Sequence, residues 1–109
     1  MQKIEHIGIA VKDIEESNKL FARLLNTEHY KMEEVESEGV ITSFFKIGNV
    51  KIELLQATND SSSIHKFVEK KGEGVHHIAF AVENVNEELE RLKNEGFDAI
   101  HQEAKDGAD

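Results

Sequence analysis

The sequence predicts an α+β domain in which one strand-helix unit occurs twice, with less chain following the second copy than the first. Three observations carry this reading. The segment Ile4-Glu5-His6-Ile7-Gly8-Ile9-Ala10-Val11 aligns with Val75-His76-His77-Ile78-Ala79-Phe80-Ala81-Val82 so that His6 falls on His77, Ile7 on Ile78, Ala10 on Ala81 and Val11 on Val82. Each copy runs through a short polar break into a segment with helical apolar spacing. Between the copies, strand formers on both sides of Gly48-Asn49 have the pattern of a hairpin.

Residues 4–11 are apolar and β-branched enough for a mostly buried strand, and Asp13 is suited to cap a helix beginning at the next residue. Ile14, Leu20, Phe21, Leu24 and Leu25 predict an amphipathic helix over 14–25. A weak strand is expected over 29–35, exposed or at an edge because Glu33, Glu34 and Glu36 charge it. Residues 40–47 and 50–55 form the two arms of the hairpin, and the polar loop 58–63 leads into a short helix carrying Ile64, Phe67 and Val68. The second copy has its strand at 75–82. Asn84 or Asn86 caps a helix with Val85, Leu89 and Leu92 on its apolar stripe, Gly96 stops it, and Phe97 to Ile100 reads as a further strand.

Composition limits the chemistry. The 109 residues amount to one domain, and the absence of cysteine excludes disulfides and thiolate metal sites, so a metal would sit on imidazole, carboxylate or amide oxygen. Thirteen basic against twenty-two acidic residues give a net charge of −9, which argues against nucleic acid or an anionic membrane as partner. The first residues lack the pattern of a signal peptide and no apolar run reaches membrane-spanning length, so a cytoplasmic protein is expected.

Strand alternation selects the candidate residues. His6 shares a face with Ile4, Gly8 and Ala10, and His77 shares one with Val75, Ala79 and Ala81, so small residues leave space beside each imidazole. His76 falls on the opposite, apolar face. Glu53 is a carboxylate in an apolar strand, costly to bury unless a cation or donors satisfy it. Two imidazoles and one carboxylate from three strands suit a divalent ion with open positions. Plainer readings stand beside this one: a strand histidine is more often a hydrogen-bonded core or surface residue, and Glu53 could be the exposed side of a one-sided sheet. His29, His65 and His101 read as solvent-facing, and the run from Glu33 to Glu38 as a solvated edge.

His-Ile-Gly-Ile-Ala-Val at 6–11, Ile-Gly-Asn-Val-Lys-Ile-Glu-Leu-Leu at 47–55 and Gly-Val-His-His-Ile-Ala-Phe-Ala-Val at 74–82 resemble the methylmalonyl-CoA epimerase family of the vicinal oxygen chelate superfamily, which also contains glyoxalase I. The resemblance covers essentially the whole chain. It implies two βαβββ modules curled around a cavity, here a first module over 1–57, a linker with a short helix over 58–74 and a second module over 75–109 that is incomplete at its C-terminus. It implies a divalent metal, cobalt, zinc, manganese or nickel, on His6, Glu53 and His77, an acyl-CoA thioester substrate epimerised through a metal-stabilised enolate, and a homodimer. Association is also expected on physical grounds, because a shortened second module leaves an open sheet edge. The family's fourth ligand, a glutamate on the last strand, has no counterpart in these residues. The acid/base glutamate that some relatives carry after a Gly-Val pair is replaced at the nearest position by Thr42. The catalytic residues are therefore left unassigned. Lyase or ring-cleaving dioxygenase chemistry, or metal-free binding of a small molecule, remain the alternatives, since a fold does not fix a substrate.

Overall fold

A computed structural model describes residues 2–98. Its elements are β1 (Lys3–Ala10), α1 (Ile14–Leu25), β2 (Lys31–Val35), a 3₁₀ turn (Glu36–Glu38), β3 (Val40–Ile47), β4 (Val50–Ala57), α2 (Ser63–Lys71), β5 (Gly74–Ala81) and α3 (Val85–Asn94). The strand expected over 97–100 lies partly outside the described residues and His101 wholly so. Neither of the two described residues of that strand, Phe97 and Asp98, is in a strand. No described helix is long and apolar enough to cross a membrane.

The strands form one sheet in the order β2-β3-β4-β1-β5. β1 lies parallel to β4 and antiparallel to β5, so the two copies of the repeated strand are direct neighbours. β2 is the edge strand that its charge predicted. β3 and β4 form the hairpin across Gly48-Asn49.

Adjacent residues Leu54 and Leu55 of β4 belong to different cores, which shows that both sheet faces are buried along this strand. One core joins Val11, Ile14, Phe45 and Leu54 with Phe21, Ala22 and Leu25 of α1. The other joins Ala10, Val40, Leu55 and Ile64 with Phe67 and Val68 of α2. Thus α1 covers one face, while α2 covers one end of the other and leaves the histidine-bearing part of that face open. Caps fix where these helices start: Asp13 accepts from the amides of Glu15 and Glu16, Ser62 from that of Ile64, and Asn84 from that of Glu87.

The helix over 14–25 forms with the expected limits but a different buried stripe. Leu20 and Leu24 are 52% and 69% exposed, whereas Asn18 is buried. Ile14, Asn18, Phe21, Ala22 and Leu25 follow the helical repeat, and Asn18 is tolerated inside because its Oδ1 accepts from the Ser43 hydroxyl at 2.5 Å. A polar residue thus occupies a core position that the apolar pattern had assigned to the leucines.

Candidate functional site

The site is built across three strands around one glycine. Gly8 on β1 is paired with His77 on β5 and with Glu53 on β4, so these three residues form one row across the sheet. A Cβ on Gly8 would lie 2.6 Å from both ring nitrogens of His77. The missing side chain is the space that lets that imidazole lean over β1 toward β4. His6 stands one pleat back on the same face, and its Nε2 lies 3.1 Å from Nε2 of His77. His77 Nε2 is 3.8 Å from Glu53 Oε1, and one ligand atom from each of His6, Glu53 and His77 lies within 4.8 Å of the others. The structure therefore brings together the three residues that strand parity had selected. Glu53 is only 5% exposed, so it is not on an open side of the sheet.

Two neighbours join this cluster against simple alternation. The β1–β5 pairing steps from Ile4–Phe80 to His6–Ala79, skipping Glu5, and from Gly8–His77 to Ile9–Val75, skipping His76. Each skipped residue is the extra residue of a β-bulge, a distortion that redirects side chains beside functional sites. Glu5 consequently accepts from His6 Nδ1 at 2.6 Å and pairs with Lys51 Nζ at 3.2 Å. His76 Nδ1 lies 2.9 Å from His77 Nδ1, and its ring meets Phe67 edge-on at 5.0 Å. The expectation that His76 lies on the opposite face is thus wrong. The bulge turns it to the site and moves Val75, 57% exposed, to the outer face.

The electrostatics favour neutral rings at His76 and His77 and an ionised carboxylate at Glu5. Burial pushes the pKa of His77 below the ordinary histidine value, aided by the nearby His6 and His76, and burial alone lowers that of His76. The hydrogen bond from His6 holds the Glu5 carboxyl below the usual range against an opposing effect of burial, with further help from Lys51. A neutral imidazole with a bare nitrogen is the form that binds a cation.

His6, Glu53, His77 and His76 border a cavity of about 140 Å³, together with Thr42 and Glu38. Thr42 cannot offer its hydroxyl freely, because it donates to the carbonyl of Glu33 at 2.9 Å and fastens β3 to the edge strand. Glu38 instead reaches the cavity from the 3₁₀ turn, where Gly39, in the left-handed conformation at φ 64°, turns the chain into β3. Glu38 is exposed, as the solvated run predicted, and also borders the cavity; only its position directly before the Gly-Val pair could have marked that second property. Among the other histidines, His29 is not simply solvent-facing: it is half-buried against Phe45 at 6.0 Å, with a buried Nδ1 that has no hydrogen-bond partner among the described residues. His65 is partly exposed near Asp60.

An imidazole pair and a carboxylate converging from inner strand faces on a small cavity form a donor set able to hold a cation, on an α+β fold of the vicinal oxygen chelate type. The chain belongs to the glyoxalase/bleomycin resistance protein/dioxygenase superfamily, whose family model matches residues 5–109. An uncharacterized protein of Bacillus subtilis is 36% identical over 108 residues, which is 99% of this chain and 77% of that protein. The mitochondrial methylmalonyl-CoA epimerase of Bos taurus is 32% identical over 107 residues, which is 97% of this chain. The chain spans 61% of the bovine epimerase's length. Among solved structures, a variant of the Streptomyces coelicolor methylmalonyl-CoA epimerase in complex with 2-nitronate-propionyl-CoA superposes with a TM-score of 0.91 at 30% identity, covering 99% of this chain and 79% of that one.

The donor set fits a divalent metal of the kind superfamily members use. Two nitrogens and one buried carboxylate oxygen lie close enough to share one ion, and the space left by the absent Gly8 Cβ is taken by the His77 ring that supplies one of them.

Proposed function

We propose that this protein epimerises the α-carbon of a carboxyl-bearing acyl-CoA thioester, methylmalonyl-CoA, with a divalent metal held by His6, Glu53 and His77. The observation that carries the proposal is the convergence of these three side chains around Gly8, in a chain whose superfamily relatives include named methylmalonyl-CoA epimerases. A bound divalent ion supplies electrostatic stabilisation of the negative charge that develops on the thioester oxygen as the α-proton leaves.

The chain's own residues do the rest. His6 and His77 present imidazole nitrogens and Glu53 a buried carboxylate oxygen, a donor set that suits a cation. The apolar wall of Val40, Leu55 and Ile64 accommodates the acyl group and excludes water, which strengthens each electrostatic contact. The cavity is too small for coenzyme A, whose bulk would lie outside it. Epimerisation moves a proton off one face of the α-carbon and onto the other, so it needs a titratable group in the cavity beyond the metal ligands. Glu38 is a carboxylate in that position, and the proposal assigns it proton transfer at one face. The proposal includes cobalt, zinc, manganese or nickel as the ion, a homodimer as the assembly, the cytoplasm as the compartment, and modules divided at residues 57 and 74.

The test is exchange of the α-hydrogen of methylmalonyl-CoA in deuterated water, followed by NMR on protein loaded with Co²⁺. Exchange is expected with the wild type, is lost in His6→Ala, and falls about 10²-fold in Glu38→Gln without loss of bound metal. Wild-type protein that binds Co²⁺ yet exchanges nothing would sink the epimerase reading and direct attention to lyase substrates. Protein that binds none of the four metals would favour a binding module.

A further inference from the structure

The three ligand side chains leave one question of chemistry open: what decides which nitrogen of His6 carries its proton. A neutral imidazole has one N–H and one bare nitrogen, and only the bare one can bind a metal. His6 points Nε2 at the cluster, 3.1 Å from His77, and Nδ1 away from it, toward Glu5 Oε1 at 2.6 Å. A carboxylate is acceptor-only when ionised, so a contact this short to a neutral ring requires the proton on Nδ1. Nε2 is then bare and faces the cavity.

Glu5 occupies this position for a structural reason. In a regular strand, Glu5 and His6 would project to opposite faces, and their side chains could not meet. The bulge that leaves Glu5 without a partner on β5 lets its carboxylate swing to the site face. Lys51 holds it there from the next strand, since Lys51 is paired with His6 across β1 and β4, and its Nζ lies 3.2 Å from Glu5 Oε2. The resulting line Lys51–Glu5–His6 has two fixed charges behind one ligand nitrogen. Carboxylates behind metal-bound histidines fix ring orientation and raise ligand basicity.

We propose that Glu5, anchored by Lys51, is a positioning residue that locks His6 in the Nδ1–H tautomer and so creates the bare Nε2 through which His6 binds the metal. The inference rests on the metal assignment above but can be tested separately from it. Protein labelled with ¹⁵N at histidine is examined without metal, slightly above neutral pH, where two-bond proton-nitrogen correlations distinguish the protonated from the bare ring nitrogen. The wild type is expected to show a protonated Nδ1 and a bare Nε2 at His6. Glu5→Ala should shift His6 toward the opposite tautomer, and Co²⁺ affinity measured by titration should fall about 10- to 100-fold. Glu5→Gln keeps an acceptor oxygen without the charge and should retain the tautomer with an intermediate affinity. Lys51→Met should give a smaller loss in the same direction.

An unchanged tautomer in Glu5→Ala overturns the inference, as does unchanged Co²⁺ affinity in Glu5→Ala beside a wild type that binds. If the wild type binds no Co²⁺, the metal assignment fails instead, and the tautomer measurement alone decides the role of Glu5. Should Glu5→Ala not fold, Glu5→Gln and Lys51→Met carry the comparison. A purely structural role for Glu5 would change the thermal midpoint without moving the proton on His6.

Discussion

Gly8 is the residue on which the site depends most simply. It lies between His77 and Glu53 in the cross-strand row, and its backbone is not in the left-handed region, so alanine meets no conformational obstacle there. The obstacle is the neighbouring ring, because the added methyl would approach both nitrogens of His77 to 2.6 Å. That is inside van der Waals contact, so the imidazole must rotate or shift. We expect Gly8→Ala to lower Co²⁺ affinity at least about tenfold, equivalent to ~1.4 kcal/mol, as measured by calorimetric titration. The strand should persist, since alanine suits an interior strand better than glycine does. A variant that binds Co²⁺ like the wild type would show that His77 is not a ligand in this orientation.

At the scale of elements, strand alternation was enough to bring out His6, Glu53 and His77, because alternation holds from His6 to Ala10 and from His77 to Ala81, on the far side of each bulge; Ile4, expected beside His6, lies across the Glu5 bulge and faces outward. Alternation could not bring out Glu5 or His76. A bulge is a property of two paired strands, and neither β1 nor β5 contains a local signal for the skipped residue. Asn18 escaped for a related reason: its burial depends on Ser43, twenty-five positions away, to supply a hydrogen-bond partner. The bulged pair β1–β5 also sets a pH response. The pKa values of His76 and His77 are lowered in the folded protein, chiefly by burial. In the window between those lowered values and about 6.5, the unfolded chain binds more protons than the folded one. Stability is therefore full above pH ~6.5 and is lost as the pH falls through that window. Below about pH 4.5, Glu5 adds a loss of the same sign, because its folded pKa is also lowered. Urea midpoints of metal-free protein should drop from pH 7.5 to pH 5.5, and drop less in His77→Gln; a midpoint that rises on acidification contradicts this account.

For the molecule as a whole, β5 is the outermost strand of the sheet, and no described strand pairs with its outer edge. Its outward face carries Val75, Ile78 and Phe80 at 57%, 49% and 48% exposure, opposite Ile9, Ile7 and Ile4 on β1. An apolar face beside an edge that no described strand pairs with favours association, through added strand pairing and through removal of apolar surface from water. Against it stands a net charge of −9 on each chain, which repels a second copy over a distance set by the ionic strength. The screening length is about 30 Å at 0.01 M salt and about 10 Å at 0.1 M, so added salt removes most of the repulsion and leaves the apolar attraction intact. The homodimer of the proposed function should accordingly tighten with salt. Light scattering at micromolar concentration is expected to show more dimer at 0.3 M than at 0.01 M sodium chloride. Ile78→Lys, which places a charge at the centre of that face, should shift the population to monomer without altering Co²⁺ binding, since Ile78 points away from the site. A wild type that stays monomeric at both salt concentrations removes the dimer from the proposal, and a dimer that dissociates as salt rises would place ion pairs, not the apolar face of β5, at its interface.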